Sequence, residues 1–401
     1  MRTTGDLQPI LAGLVAGLTG FASSIAILVA GLVNLGASDV QAASAVLALT
    51  VVPGILGVLL SVRHRIPLLI LWSTPGAALL LATDNPGSYA DAIGAFLLCG
   101  VLLLVTGVWP ALARLVTRIP KPIASAMLAG VLFPICLAPV RAVAELPLLA
   151  LPIVLTWLVL SKFAPRWAVP AALVVALAVV AISSQGLQVA DPGALLPLPV
   201  FTAPGFDPAV VFGLGIPLYL VTMAGQNVTG FAVLRTFGFE QPARPVLVST
   251  GIGTLAAATF GGFIMNLAAI TAAMVVGPEA HPDRERRWIA GVSAAVTMAL
   301  LGAVAGLVTV VFAASPPILL TAVAGLALFG ALASSIMSAL EDAAHRVTAV
   351  VTFLVAASGI SIAGLGSAFW ALIAGGAVML WLASWRRRPA AVTEEVVQRG
   401  R

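Results

Sequence analysis

Leu71-Trp72-Ser73-Thr74-Pro75-Gly76-Ala77-Ala78-Leu79 interrupts an apolar stretch that would otherwise read as one spanning helix. Upstream, Ile66 to Leu71 is an extended apolar run. Ser73 or Thr74 then supplies an N-cap and Pro75 the first helical position, where a missing N–H leaves nothing unsatisfied. From Pro75 to Thr83 there is room for about nine residues, or ~13 Å of helix, roughly half a bilayer core. A helix that begins near the bilayer midplane leaves N–H groups and a positive dipole end deep in the protein. Such ends are tolerated around a cavity, and they suit an anionic ligand. The break marks a solute-carrying membrane protein rather than a simple anchor.

Composition agrees. Of 401 residues, 61% are hydrophobic and 9% charged, and mean hydropathy is +1.12, far outside the soluble range. The pI near 10.0 does not signal a nucleic-acid partner, because Lys and Arg punctuate apolar segments instead of clustering on a polar domain. Cys99 and Cys136 lie in apolar runs without disulfide or zinc spacing. Arg2 and Asp6 precede a long apolar stretch with no cleavage site, so the N-terminus reads as a first span and not a removed signal. No nucleophile, paired carboxylates or metal cluster is expected at membrane depth, so neither an enzyme nor a metal or cofactor site is expected.

Apolar length and polar breaks divide the chain into fourteen segments. The first seven run roughly 8–34, 39–62, 66–83, 89–115, 121–140, 146–163 and 167–185. The second seven run roughly 207–234, 244–258, 260–277, 286–314, 316–338, 345–359 and 365–385. A polar, Pro-rich stretch from Gln185 to Pro208 joins the sets. With both termini cytoplasmic, every Lys and Arg except Arg141 falls in an inner loop or a terminus, while Asp39, Asp84, Asp91, Glu145, Asp191 and Asp207 collect outside. The expected fold is therefore an all-α polytopic membrane protein. Because each set has an odd number of spans, the second enters from the opposite side, giving a 7+7 inverted repeat.

The repeat predicts that span ten is broken like span three. Thr259-Phe260-Gly261-Gly262-Phe263-Ile264-Met265-Asn266 stands there. Two glycines permit an unwound or strand-like backbone, and Asn266 can cap the half-helix that follows. Short strand-plus-half-helix segments are expected at both places. Polar character at membrane depth comes from neutral groups: Ser23 and Ser24 in span one, Ser73 and Thr74, the adjacent carboxamides Gln226 and Asn227 in span eight, and Asn266. Buried carboxamides are costly unless hydrogen-bonded, so Gln226-Asn227 reads either as an interhelical lock or as cavity lining. Phe21, Phe231, Phe260 and Phe263 flank these groups, where rings would pack against a flat ligand. The expected binding set is Phe21, Ser23, Ser24, Ser73, Thr74, Gly76, Gln226, Asn227, Gly262, Phe263 and Asn266.

These strings resemble the benzoate/proton symporter family, the benzoate membrane transport proteins. The matching pieces are Trp72 to Leu79, Val221 to Asn227, Phe260-Gly261-Gly262 with Asn266 to Ala273, and Pro278 to Asp283 leading to Arg287-Trp288. The resemblance implies a fold similar to uracil and xanthine permeases and anion exchangers. Its core domain (1–119 and 207–314) moves against a gate domain (120–206 and 315–385), with a cytoplasmic tail from 386 to 401. It also implies a homodimer in the bacterial inner membrane, carrying benzoate or a similar aromatic carboxylate with a proton. A permease or exchanger for another small anion or nucleobase is the alternative. The family pattern places a serine at position 225, a proline at 229 and a histidine at 263, where this chain has Gly225, Thr229 and Phe263.

A site without a buried base is consistent with a carboxylate ligand. A half-helix N-terminus returns roughly 0.3–1 kcal/mol, ~2 when buried, and N–H bonds to a charged ligand about 1.5–3 kcal/mol each. Uptake of a bare anion against an inside-negative potential costs about 2.3 kcal/mol per 100 mV. One proton per carboxylate removes that cost, whether it rides on the substrate or on a polar relay.

Overall fold

The computed structural model describes residues 7–83, 87–109, 120–183, 197–240, 243–269, 271–313, 315–362 and 365–386. Arg2, Asp84, Arg114, Arg118, Asp191, much of the 185–208 connection and the tail from 387 lie outside the described residues.

A chain this apolar must satisfy its backbone internally, and helices do so within a single segment. The order is α1 (Leu7–Asn34), α2 (Asp39–His64), β1 (Ile70–Trp72), α3 (Thr74–Leu81), α4 (Tyr89–Val108), α5 (Lys121–Cys136), α6 (Ala138–Glu145), α7 (Pro147–Phe163) and α8 (Pro165–Ser183). After the connection come α9 (Pro208–Thr222), a π-turn (Met223–Asn227), α10 (Val228–Thr236), α11 (Ala243–Ala258), β2 (Met265–Leu267) and α12 (Ala272–Val276). The chain continues with α13 (Trp288–Leu301), α14 (Ala305–Ala313), α15 (Pro317–Leu340), α16 (Arg346–Ala357) and α17 (Ser367–Arg386). Among the described residues, seven helical stretches are long and apolar enough to cross a membrane, and four shorter apolar helices have 10–17 residues. This is a mostly helical, multi-pass membrane protein.

Packing follows small residues, as expected where lipid removes the hydrophobic drive between helices. α1 lies on α13 through Gly13 and Gly17: a Cβ on Gly13 would sit 2.3 Å from the Ala290 carbonyl oxygen. α13 also packs on α2, α4 on α11 and α9, and α1 on α3. A second group forms around α5, which packs on α15 and α16; α7 packs on α8, and α16 on α17.

Between these helices lies a two-stranded antiparallel ribbon, with Ile70 opposite Leu267, Leu71 opposite Asn266 and Trp72 opposite Met265. It extends through Ala268 N–H to the Leu69 carbonyl (2.8 Å) and Ser73 N–H to the Ile264 carbonyl (3.2 Å). A ribbon edge inside a membrane protein must be answered by side chains. On β2 the outward N–H groups alternate, and each finds an acceptor. Met265 N–H meets Thr254 Oγ1 at 3.0 Å, Leu267 N–H meets Asn227 Oδ1 at 3.0 Å, and Ala269 N–H meets Gln226 Oε1 at 3.2 Å.

Two sequence expectations need correction here. Asn266 is not a helix cap: it sits in β2, and α12 begins after Thr271 without a side-chain cap. The second half-helix is one short turn, so its dipole is much weaker than the first's. In the first, Ser73 is the N-cap, helix α3 starts at Thr74, and Pro75 takes the second position. Gly261 does adopt a positive φ of 88°, as the expected unwinding requires.

Candidate functional site

A cavity of about 710 Å³ lies where the ribbon meets α1, α5, α8, α9, α10 and α15, within the ~300–1,000 Å³ range of small-molecule sites. Ser23, Ser24, Thr74, Gln226 and Asn266 line it. Leu71, Leu128, Leu132, Val169, Val221, Met274 and Leu328 supply apolar wall. One end is closed by the ribbon, where Asn266 is fully buried. The other reaches the surface at Lys121 and Ser334, where Lys121 Nζ is 2.6 Å from Glu341 Oε2.

The remaining expected residues lie off the wall, each for a visible reason. Phe21 stacks edge-on to Trp72 at 6.2 Å and supports it. Ser73 is consumed by capping: its Oγ accepts from Gly76 N–H at 3.0 Å and from the Thr222 hydroxyl at 2.7 Å. Gly76 lets α3 approach α9; a Cβ there would lie 2.8 Å from Leu218 Cδ1. Asn227 serves β2 and donates Nδ2 to Met223 Sδ at 3.3 Å, so it is the lock and not the lining. Gly262 packs on Ala257, 2.6 Å from a built Cβ. Phe263 is fully buried against Phe96, ring centres 6.0 Å apart, behind the ribbon and away from the cavity.

The π-turn explains how adjacent carboxamides take different jobs. Side chains one residue apart on an α-helix diverge by about 100°. Widening the turn instead lets Gln226 and Asn227 reach N–H groups two residues apart on one strand edge. Gln226 Oε1 is thereby fixed on Ala269, which leaves its amide nitrogen for the cavity. Thr19, Ser125, Ser334, Ser335 and Ser338 also line the cavity and were not anticipated. The α15 serines carried a signal, since Ala331, Ser334 or Ser335, and Ser338 recur at helical spacing. Thr19 Oγ1, Trp72 Nε1 and Asn266 Oδ1 belong to lining residues and have no hydrogen-bond partner.

A polytopic helical bundle crossed by a buried ribbon, with a polar-ended cavity at the crossing and no catalytic constellation among its described residues, is the build of a membrane transporter. The profile of the family described as benzoate membrane transport protein matches residues 4–381, and the chain belongs to that family. It is 38% identical over 368 residues to the inner membrane protein YdcO of Escherichia coli, covering 92% of this chain and 94% of that one. It is 32% identical over 378 residues to the benzoate membrane transport protein of Acinetobacter baylyi, covering 94% and 95%. Among solved structures, the transmembrane domain of the cyanobacterial bicarbonate transporter BicA has a similar fold. Its TM-score is 0.58 at 18% identity, over 94% of this chain and 98% of that one.

Proposed function

We propose that the protein is a secondary active transporter of the bacterial inner membrane that takes up benzoate or a related small aromatic carboxylate together with a proton. The observation that carries this is the cavity: apolar walls that accept a ring, ending in Gln226, Asn266, Thr74 and the α1 hydroxyls that accept a carboxyl group. The relative from Acinetobacter baylyi bears a name for the same substrate. One proton per carboxylate makes the cargo neutral and removes about 2.3 kcal/mol per 100 mV of opposing potential.

The chain crosses the membrane fourteen times as a 7+7 inverted repeat. Antiparallel pairing of one strand from each half supports this, because an in-plane two-fold axis demands it. The core set is α1–α4 with α9–α14, and the gate set is α5–α8 with α15–α17. The strongest helix packing falls within each set, and residues of both line the cavity. By the charge partition, the mouth at Lys121 faces the cytoplasm, so the described form is inward-open. Proteoliposomes loaded at neutral pH and placed in acid should take up labelled benzoate faster than protein-free vesicles, and an uncoupler that collapses the pH gradient should abolish the accumulation. Uptake equal to protein-free vesicles, with uracil or bicarbonate accepted instead, refutes the proposal.

A further inference from the structure

We infer that the cavity receives its ligand as the neutral carboxylic acid, so that the coupled proton crosses on the substrate and not on a side chain. This rests on the cavity being the site of a small aromatic carboxylate. An ionised carboxylate only accepts hydrogen bonds, whereas a carboxylic acid has one O–H donor beside an acceptor oxygen.

The closed end of the cavity matches the acid. Asn266, fully buried, donates Nδ2 to the Leu267 carbonyl at 3.0 Å, and its Oδ1 has no partner. Turning the amide over would set two carbonyl oxygens against each other, so Leu267 determines which end is the acceptor. Ser23 and Ser24 both donate to the Gly20 carbonyl, at 3.2 and 2.7 Å, and so present lone pairs. Most N–H groups at the start of α3 are already engaged. At α3, Pro75 has no N–H, Gly76 N–H bonds Ser73 Oγ at 3.0 Å and Ala77 N–H bonds the Ser73 carbonyl at 2.8 Å. The Thr74 N–H, the Gln226 amide nitrogen, the unpartnered Trp72 Nε1–H and the Thr19 hydroxyl remain as donors and can serve the acid's carbonyl oxygen, but none of them answers Asn266 Oδ1. An ion here would face the lone pairs of a buried, unanswered oxygen, which is among the costliest burials. The acid instead donates to Asn266 Oδ1.

Among the described residues lining the cavity, from α1, β1, α3, α5, α8, α9, α10, β2, α12 and α15, Lys121 is the one charged side chain, and Glu341 holds it at the mouth. No lining Asp, Glu or His offers itself as a proton carrier.

The test is equilibrium binding of labelled benzoate to the full-length protein in nanodiscs between about pH 5 and 8. The apparent Kd for total benzoate is expected to rise ~tenfold per pH unit above the ligand's own pKa. Ring-substituted benzoates of different acidity are expected to shift the curve by their pKa difference. Benzamide, a neutral isostere with both donor and acceptor, should compete equally at every pH, and benzenesulfonate, ionised throughout, should not. A pH-independent Kd, competition by benzenesulfonate, or one shared midpoint for all the benzoates overturns the inference. No benzoate binding at any pH by protein that melts cooperatively overturns the substrate proposal itself, and this inference with it.

Discussion

Asn227→Leu isolates the hydrogen bond that closes the ribbon edge. Asn227 is fully buried and Leu267 only 1% exposed, so the Leu267 N–H loses its acceptor with no water to replace it. Leucine keeps the branching and the number of heavy atoms, though its methyl groups are bulkier, so Asn227→Ala is the companion variant that removes the acceptor without overpacking. Leaving one buried N–H unanswered costs about 1–3 kcal/mol. That free energy opens the ribbon relative to the closed state on the order of 5- to 150-fold more often. Hydrogen exchange followed by mass spectrometry on peptides spanning 264–269 reads this directly. The variant should exchange faster there by that factor while peptides from α16 and α17 keep their protection. Wild-type protection at 264–269, with an unchanged melting temperature, would refute the assignment of Asn227 as edge acceptor.

Thr254→Val removes the acceptor for Met265 N–H from the same edge and should destabilise by a similar ~1–3 kcal/mol, seen as a lower melting temperature in detergent. Gly13→Ala should expel α1 from α13, costing about 1–3 kcal/mol. The matched Gly376→Ala has nothing within 4 Å of its Cβ and should melt like wild type, so equal melting of both variants contradicts the packing. Gly225→Ser meets only ordinary contacts at 3.4 and 3.5 Å and should bind benzoate normally. Gly225→Trp should fill the cavity and abolish binding in protein that still melts cooperatively; retained binding would place the ligand elsewhere. Arg287 donates to the carbonyls of Val276, His281 and Pro282. Arg287→Lys cannot reproduce that fork, so it should lower the melting temperature nearly as much as Arg287→Ala.

The two helix breaks were legible because Ser-Thr-Pro offers a helix start and Gly-Gly an unwound backbone in spans that the expected repeat makes correspond; proline alone decides nothing, since Pro53 and Pro134 sit inside α2 and α5. That the two breaks pair as strands was implied by the family resemblance and not by the residues themselves; the physical reason is that broken backbone in a bilayer needs hydrogen-bond partners, which each break supplies to the other. What could not be read was the division of labour between neighbours. Gln226 and Asn227 are chemically alike, and only the π-turn decides that one faces the cavity and the other faces β2. Phe263 looked like a wall residue from its place in the string, yet the ribbon's pleat turns it toward Phe96. Half-helix length was equally hidden: Ala272-Ala273-Met274-Val275-Val276 is strongly helix-compatible to its end, and the stop comes from Gly277 with Arg287 drawing in the Val276 carbonyl. Cavity lining from α5 and α15 was missed because alanine and serine, which open space by being small, look like filler in an apolar sequence.

The ribbon also sets an order on biogenesis. Ile70, Leu71 and Trp72 leave the ribosome long before Met265, Asn266 and Leu267 exist to pair with them. Until then the nascent first half carries open peptide groups that lipid cannot answer. An insertion machinery that shelters polar backbone, or a first half that stays unclosed until the second arrives, is therefore built into the topology, and a truncated chain ending within the 185–208 connection should be prey for membrane proteases.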